Sequence, residues 1–349
     1  MSAVAHGVAI NQRRFDMIPR LPRIALVMGD PSGVGPELAT RVLAVPANLA
    51  SAELHVLASR TEVEAAAVEA GVSVPIADQP GAGRVVCVGS ERADVAVERG
   101  KPSIEGGLRV KVDLLAALAM FQRGEVDAIM FTPLNKSALH DAGMHEEDEL
   151  RWFAKTLGYE GFTSELNLLP NLTTARVTSH IGIADVAPLI KTERCIDAIH
   201  LLHDVLMADG KENPRILVCA LNPHGGENGQ FGREEIDEIA PAVKQVQGEG
   251  LNVEGPYPSD TLFLRARDGG ADGVVTMYHD QGQIAIKLLG FDQGVTVQGG
   301  LPVPICTPAH GTAYDLVGTG KASLGPTQRA FDVCLGLARQ NIARADARA

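Results

Sequence analysis

The sequence lacks three features that would place it in a familiar class: long hydrophobic runs, an excess of basic residues and paired cysteines. Its longest apolar stretches, at 24–28 and 216–221, are far shorter than the roughly 20 residues that cross a bilayer, so we expect no membrane partner. The formal net charge of −12, from 43 acidic and 31 basic residues, gives no attraction to the phosphates of nucleic acid. The five cysteines are scattered without a C-x-x-C pair, which argues against a zinc or redox motif of that kind.

The start of the sequence also lacks the apolar core of about 7–15 residues that marks a secretory signal. We therefore expect residues 1–20 to form a flexible N-terminal tail. The same absence predicts a cytoplasmic protein, whose thiols would be reduced.

The length of 349 residues predicts about two domains, and the pattern within them is α/β. Apolar, β-branched runs alternate with helical patterns, which is typical of mostly parallel sheets covered by helices. Strands are predicted at 23–27, 55–58, 85–88, 128–131, 175–178, 215–220 and 273–277. Helices are predicted at 36–43, 62–69, 108–122, 137–141, 150–157, 192–206, 234–247 and 327–339. Ligands of such folds bind beyond the carboxyl ends of the strands, so polar residues there are the candidate site.

Three histidines, His180, His224 and His279, each follow a predicted strand. Imidazole nitrogens suit a divalent transition metal, and three of them with an open position let the metal polarise a substrate oxygen. The long spacing leaves open that the three simply cap separate loops. Asp260 and Asp280 could orient such ligands, or could cap helices.

Two glycine-rich elements occur, at 28–38 and at 310–322. The first joins a strand to a helix, but its glycine spacing and two prolines do not fit the G-x-G-x-x-G fingerprint of Rossmann folds. Tight turns at Gly29 and Gly33 and a helix start at Pro36 would explain it structurally.

Together these two elements resemble motifs of the isopropylmalate and isocitrate dehydrogenases, whose late loop binds the adenosine end of NAD(P). A closer resemblance, over residues 23–337, is to the family of 4-hydroxythreonine-4-phosphate dehydrogenase. The motifs that carry it lie at 28–38, 132–136, 179–180, 221–224, 232–237, 260–263, 278–282 with Lys287, and 310–320.

This resemblance implies a two-lobed α/β/α homodimer, with the active site in the interlobe cleft and shared by both subunits. Residues 21–135 and 290–349 would form the cofactor-side lobe, and 136–289 the metal, substrate and dimerisation lobe. The implied reaction is oxidation of an alcohol by NAD or NADP, followed by loss of CO₂ from the β-keto acid. The implied metal is divalent, zinc first and otherwise magnesium, manganese or cobalt.

The resemblance also assigns roles to residues. The metal ligands would be His180, His224 and His279. The catalytic residues would be Lys287, Asp260 and Asp280. The cofactor would be bound by Gly29, Asp30, Gly33, His310, Gly311, Thr312, Ala313 and Asp315.

The chain departs from that family where the substrate phosphate is bound. Instead of the family's Gly-His-Thr-Glu segment it reads HEEDELR at 145–151, so the phosphate-binding histidine and threonine fall on Glu149 and Leu150. A carboxylate about 4 Å from a phosphate oxygen would cost about 4 kcal/mol. Two further substrate contacts fall on Thr296 and Ile305. A local shift of the alignment, with His145 in the pocket, and a plain acidic helix start remain open alternatives.

The resembled family includes relatives, notably terephthalate cis-dihydrodiol dehydrogenase, that oxidise non-phosphorylated ring diols. Together with these departures, the resemblance implies a non-phosphorylated substrate such as a terephthalate cis-dihydrodiol, with Arg151 or Lys155 facing its distal carboxylate. The alternatives are 4-hydroxythreonine 4-phosphate or a related 4-phospho sugar acid. An acyl or phosphoryl transferase is a further possibility of a different class, since the fold alone does not set the chemistry.

Overall fold

A computed structural model describes residues 20–89, 97–290 and 294–347. The tail predicted at 1–20 therefore lies outside the described residues, except for Arg20. Within those ranges no helix has the length and apolar character of a membrane span.

The described chain alternates strands and helices as the sequence predicts, but it has five strands that the sequence does not predict, at 76–77, 164–168, 253–257, 295–299 and 305–308. The strands are β1 (Arg23–Val27), β2 (Glu53–Val56), β3 (Ile76–Ala77), β4 (Val85–Cys87), β5 (Ala128–Phe131), β6 (Ser164–Leu168), β7 (Thr173–Arg176), β8 (Ile216–Cys219), β9 (Val253–Tyr257), β10 (Gly273–Thr276), β11 (Val295–Gly299) and β12 (Ile305–Pro308). The helices are α1 (Gly35–Leu43), α2 (Pro46–Ser51), α3 (Arg60–Ala70), α4 (Ile104–Gln122), α5 (Lys136–Asp141), α6 (Glu149–Leu157), α7 (Val186–Leu189), α8 (Thr192–Ala208), α9 (Ala240–Gly248), α10 (Ser259–Arg265), α11 (His279–Gly290) and α12 (Gly325–Asp346).

Contacts divide the described residues into two compact units. The first comprises those of Met1–Met144, Val303–Thr307 and Gly311–Ala349, and the second those of His145–Pro302 and Pro308–His310. The sequence predicted lobe boundaries at 135/136 and 289/290. Residues 294–302 lie in the second unit because β11, at 295–299, pairs with β6 along its whole length. The roles predicted for the two lobes stay predictions.

The first unit is built on a parallel sheet with the order β3-β4-β2-β1-β5-β12. Residues Ile24 to Val27 of its central strand β1 are fully buried. Strands buried on both faces have continuous apolar runs, which is why the sequence located β1 and β5 to the residue.

The second unit has the order β11-β6-β7-β10-β8-β9, with antiparallel pairing across β11, β6 and β7 and parallel pairing in the rest. Both units are thus α/β, and their strands are mostly parallel. The sequence missed β6 and β11 because each carries polar residues between apolar ones. It also missed α11, where Gly282 weakens the helical pattern by about 1 kcal/mol relative to alanine.

Candidate active site

His180 and His279 lie side by side in the second unit. Their ring centroids are 5.2 Å apart and the rings are tilted by 41°. His180 follows β7 and His279 follows β10, and these two strands are parallel neighbours. The segments that follow β7 and β10 are also hydrogen-bonded to each other. Thr178 donates to the carbonyl of Met277 from both its amide (3.1 Å) and its hydroxyl (2.7 Å). The carboxyl ends of adjacent strands therefore bring together two histidines that are 99 residues apart.

A cavity of about 220 Å³ adjoins the two rings, large enough for a small-molecule group. Its polar lining comes from the histidines and their neighbours, and its apolar lining from the segment after β7. The lining residues are Thr178, Ser179, His180, Ile181, Ile183, Val186, Tyr278, His279 and Asp280.

His180 is held by a carboxylate that the sequence analysis did not single out. Oδ2 of Asp148 lies 2.5 Å from Nδ1 of His180, and the Asp148 side chain is only 5% exposed. The other carboxylate oxygen accepts a hydrogen bond of 2.7 Å from the amide of Arg151, which caps α6. Burial alone would raise the pKa of Asp148, but the bonds from His180 and Arg151 outweigh it and lower that pKa. Asp148 is therefore a buried carboxylate shared by a helix start and a histidine.

His279, the first residue of α11, also has a carboxylate at Nδ1. Oδ1 of Asp280 lies 2.7 Å from that nitrogen, although the Asp280 side chain is 72% exposed. Gln281 fixes the start of the helix, because it accepts from the amide of Met277 and donates to the carbonyl of Ala220. Each of the two imidazoles thus has its Nδ1 engaged, which leaves Nε2 as the nitrogen available to a further ligand.

His224 lies in a loop whose backbone winds with the opposite hand. All six residues from His224 to Gly229 have positive φ, between 44° and 93°. The loop is anchored by Glu235, whose buried Oε1 accepts hydrogen bonds from the amides of Leu221 (2.8 Å) and Asn222 (2.7 Å). The side chain of His224 is exposed.

Two imidazoles flanked by carboxylates are a suitable donor set for a divalent transition metal. Across the described ranges, however, no three His, Cys, Asp or Glu side chains are grouped so that they could hold an ion. Within this chain His180 and His279 lie together, but His224 is not grouped with them. The site of three histidines therefore stays a prediction. The resemblance implies an active site shared by both subunits, so one chain is not expected to hold all three ligands.

The other two residues predicted to be catalytic lie on helices of the second unit. Asp260 is exposed in the first turn of α10. Lys287 is exposed on α11, eight residues after His279. Their predicted roles stay predictions.

In the first unit the two glycine-rich elements contact each other directly. Asp30 is buried, with Oδ1 accepting from the amide of Ser32 and Oδ2 accepting from the hydroxyl of Tyr314 at 2.5 Å. Burial, followed by the bond to Asp30, raises the pKa of Tyr314 to about 12, so its hydroxyl stays a donor at neutral pH. The amide of Val34 donates to the carbonyl of Thr312 at 3.0 Å. The carboxylate of Asp30 thus joins the two elements.

The glycines of the first element permit close backbone approach. Gly29 has a φ of 71°, and a Cβ there would lie 2.6 Å from the carbonyl oxygen of Pro133. A Cβ on Gly33 would lie 2.8 Å from the carbonyl oxygen of Thr312. Both positions therefore exclude larger residues for structural reasons, as the sequence indicated.

The late element has both buried and exposed residues at the positions predicted to bind the cofactor. Thr312 is buried, His310 and Ala313 are half-buried, and Gly311 and Asp315 are exposed. Ala313 has a φ of 42°, a conformation that few residues other than glycine adopt. These residues stay the predicted cofactor site.

The predicted substrate positions are divided between the units. Glu149 is half-buried in the first turn of α6, and Arg151 donates to the hydroxyl of Thr163 at 2.9 Å. Thr296 is buried in β11, with its hydroxyl 3.4 Å from the amide oxygen of Asn167. Ile305 is fully buried in β12, within the core of the first unit, so in this structure its side chain packs against protein atoms.

Three polar residues important to these sites lie in segments that the sequence singles out, but their individual roles were not predicted: Asp148 at 145–151, Glu235 at 232–237 and Tyr314 at 310–320. An aspartate directly before the apolar pattern of α6 is a helix-capping signal, so the capping role of Asp148 was available from sequence. Its bond to His180 was not, because it joins residues 32 positions apart through the tertiary fold.

Comparisons with known proteins identify relatives over almost the whole chain. The model of the family described as Pyridoxal phosphate biosynthetic protein PdxA matches residues 37–334. A relative from Pseudomonas aeruginosa named "Putative 4-hydroxythreonine-4-phosphate dehydrogenase 2" is 47% identical, over 92% of this chain and 98% of its own length.

Solved structures show the same fold. The 4-hydroxythreonine-4-phosphate dehydrogenase of Burkholderia phymatum is 36% identical with a TM-score of 0.71, covering 91% of this chain and 98% of that one. A terephthalate 1,2-cis-dihydrodiol dehydrogenase from Burkholderia xenovorans is 26% identical with a TM-score of 0.68, covering 88% and 96%. A β-decarboxylating dehydrogenase from Thermococcus kodakarensis, 15% identical with a TM-score of 0.50 over 87% and 80%, is similar in fold alone.

Proposed function

Because the chain belongs to the PdxA family, we propose that it oxidises a short hydroxy acid phosphorylated at its 4-position, with 4-hydroxythreonine 4-phosphate as the first candidate. Membership itself makes the chain an NAD(P)-dependent dehydrogenase that acts on CH–OH with oxidative decarboxylation. The observation that carries the substrate proposal is the 47% identity to a relative named for that compound, over 92% of this chain. A related 4-phospho sugar acid fits the same chemistry.

This proposal corrects the substrate predicted from the sequence. The terephthalate dihydrodiol dehydrogenase is 26% identical, well below the 47% of the relative named for the phosphate substrate. The departures at 145–151 concern a few positions, whereas the similarity to that relative extends over 92% of this chain. The dephosphorylated form of that hydroxy acid is a second candidate, because the buried carboxylate of Asp148 and the half-buried Glu149 occupy the segment that binds phosphate in the resembled family.

In the proposed reaction the substrate hydroxyl loses a proton while its carbon transfers a hydride to NAD(P)⁺. The resulting β-keto acid then loses CO₂, and a proton replaces it on the α-carbon. Lys287 would anchor the substrate carboxylate or supply that proton. The two glycine-rich elements would hold the nucleotide, and fixing it against the substrate can contribute about 7–11 kcal/mol.

A divalent ion would be held by His180 and His279, with His224 as the third ligand. Bound there, it would acidify the alcohol and stabilise negative charge on the oxygen during decarboxylation. Asp280 would orient His279 through the 2.7 Å bond to its Nδ1. The shared-site homodimer and the cytoplasmic location are part of the same proposal.

Turnover of matched substrates tests the proposal. Purified enzyme with NAD⁺ or NADP⁺ and Zn²⁺, Mg²⁺, Mn²⁺ or Co²⁺ would receive 4-hydroxythreonine 4-phosphate, its dephosphorylated form and a terephthalate cis-dihydrodiol. We expect reduced nucleotide and CO₂ in equal amounts from the phosphate compound, with the highest kcat/KM. A higher kcat/KM for the dephosphorylated form would support the second candidate, and turnover of the dihydrodiol alone would overturn both.

A thermal-shift measurement separates the dehydrogenase from the acyl or phosphoryl transferase of the sequence analysis. NAD(P) should raise the Tm by mass action, while acyl-CoA should leave it unchanged. The opposite pattern would favour the transferase.

A further inference from the structure

The carboxylate of Asp148 makes two polar contacts in different directions. Oδ1 accepts from the amide of Arg151 at 2.7 Å, and Oδ2 lies 2.5 Å from Nδ1 of His180. Asp148 stands where the resembled family has the glycine of its Gly-His-Thr-Glu segment. A glycine has no carboxylate, so the family motif does not account for this contact. The bond to His180 therefore calls for an explanation from this chain's own residues.

Helix capping explains only half of this arrangement. An N-cap needs one oxygen facing the first turn, and serine or asparagine caps a helix about as well as aspartate. Capping does not account for the second oxygen on His180, or for a carboxylate that is only 5% exposed. A buried charge of this kind is costly unless both oxygens are bonded, so the contact with His180 is needed to keep Asp148 where it is.

The contact has a defined consequence for the imidazole. A neutral histidine carries its proton on one ring nitrogen, and a carboxylate at Nδ1 places the proton there. Nε2 then keeps its lone pair, the form in which imidazole binds a cation. The backbone of His180 is itself in the left-handed region, with a φ of 46°, at a cost of about 1 kcal/mol or more. The ring is thus held from both its backbone and its Nδ1.

We infer that Asp148 is a positioning residue for His180, which fixes the ring and its tautomer so that Nε2 is ready to bind a divalent cation. The inference rests on the proposed function only in taking His180 as a metal ligand. It also links the cation to the start of α6, because the same carboxylate bonds the amide of Arg151, a predicted substrate residue.

Two substitutions distinguish positioning from capping. Asp148→Ser keeps a capping oxygen but is too short to reach His180, so Nδ1 keeps only the hydroxyl of Ser179, 3.3 Å away, and gains no amide NH₂. Asp148→Asn keeps the size and the cap, but its amide NH₂ would face Nδ1 and favour the tautomer with the proton on Nε2. A capping role predicts that Asn is harmless, whereas positioning predicts that Asn is the worse of the two.

The direct measurement is Zn²⁺ affinity of the full chain, by competition with a chromophoric chelator. We expect Asp148→Asn to weaken it about 10–100-fold and Asp148→Ser by less, with Tm values near that of the wild type. The matched control is Asp268→Asn, which removes an exposed carboxylate paired with Arg267 and should leave the affinity unchanged. Should Asp148→Asn fail to fold, a loss of several-fold in Asp148→Ser is the expected result.

The tautomer gives a second readout that a structural cap would not move. In ¹⁵N-histidine-labelled protein without metal, the His180 ring should carry its proton on Nδ1 in the wild type and on Nε2 in Asp148→Asn, with His180→Gln used for assignment. Zn²⁺ affinity of Asp148→Asn within twofold of the wild type, or a wild-type ring protonated on Nε2, would overturn the inference, as would a wild type that binds no Zn²⁺. Intact Zn²⁺ binding without turnover of any tested substrate would instead count against the proposed function alone.

Discussion

The hydroxyl of Tyr314 donates a 2.5 Å hydrogen bond to the carboxylate of Asp30, across 284 residues of chain. This bond joins the turn after β1 to the late glycine-rich element. The two elements proposed to bind NAD(P) are therefore not independent loops, and a change in one alters the position of the other.

Tyr314→Phe tests this connection. Loss of the hydroxyl leaves the buried Asp30 with one acceptor unfilled, so the late element should be held less firmly. We expect NADH or NADPH to bind several-fold more weakly in a fluorescence titration, with Zn²⁺ affinity unchanged. Tyr257→Phe, which removes a hydroxyl bonded to Glu254 in the second unit, is the matched control. Equal loss of nucleotide affinity in both variants would contradict the prediction.

Gly33→Ala tests the close approach between the same elements. The added methyl group would lie 2.8 Å from the carbonyl oxygen of Thr312, so the backbone must move apart. Overpacking of this kind costs about 1–3 kcal/mol, and we expect a lower urea midpoint together with weaker nucleotide binding. Gly248→Ala, at the end of α9 where a Cβ meets nothing within 4 Å, should leave stability unchanged or slightly higher. If Gly33→Ala is equally neutral, the approach is looser than described.

Asp127 should make stability depend on acid pH. Burial would raise the pKa of Asp127, but hydrogen bonds from Arg20 and Arg23 outweigh it and hold the pKa well below its usual range. A depressed pKa in the folded state adds stability above the unfolded value near pH 4, and this is lost as the pH falls. We expect Asp127→Asn to lower the free energy of unfolding by about 1–3 kcal/mol at pH 7 and by much less near pH 2. A pH-independent loss in urea titrations would show that charge is not the cause.

Glu235→Gln tests the anchor of the His224 loop. Glutamine can still accept from the amides of Leu221 and Asn222, but its NH₂ group would then oppose the side-chain NH₂ of Asn222. We expect amides of 221–229 to exchange with deuterium about tenfold faster or more, and Zn²⁺ affinity to fall.

The comparison variant for this anchor is Glu249→Gln, which removes an exposed carboxylate bonded to His200. Its exchange pattern should match that of the wild type. Uniformly faster exchange across Glu235→Gln, with no excess at 221–229, would mean that Glu235 stabilises the unit as a whole rather than the loop.

The sequence predicted those strands and helices whose amino-acid pattern depends only on neighbouring residues. β1 and β5 are continuous apolar runs, and they were located to the residue because burial on both faces requires such composition. The pairing of His180 with His279 followed from their places after two strands, once those strands proved to be neighbours. The family resemblance supplied the chemistry that spacing alone left open.

What the sequence did not predict depends on contacts made through the fold. Helix α11 is hard to predict from the sequence because it contains Gly282, a residue with low helix propensity. In the fold Gly282 packs near Thr276. The second bond of Asp148 and the bond from Tyr314 to Asp30 join distant residues whose individual patterns were ordinary caps and loops. The predicted substrate differs from that named for the 47% identical relative, because the prediction rests on a few changed positions and the similarity extends over 92% of the chain.

The left-handed winding of the loop from His224 to Gly229 restricts which residues can occupy it. L-amino acids with branched or bulky side chains are disfavoured at positive φ, whereas glycine and asparagine adopt it readily. At six consecutive positions of this kind, most substitutions by branched or bulky residues would strain the backbone. Variation in the loop is therefore limited by backbone chirality before any demand of catalysis applies.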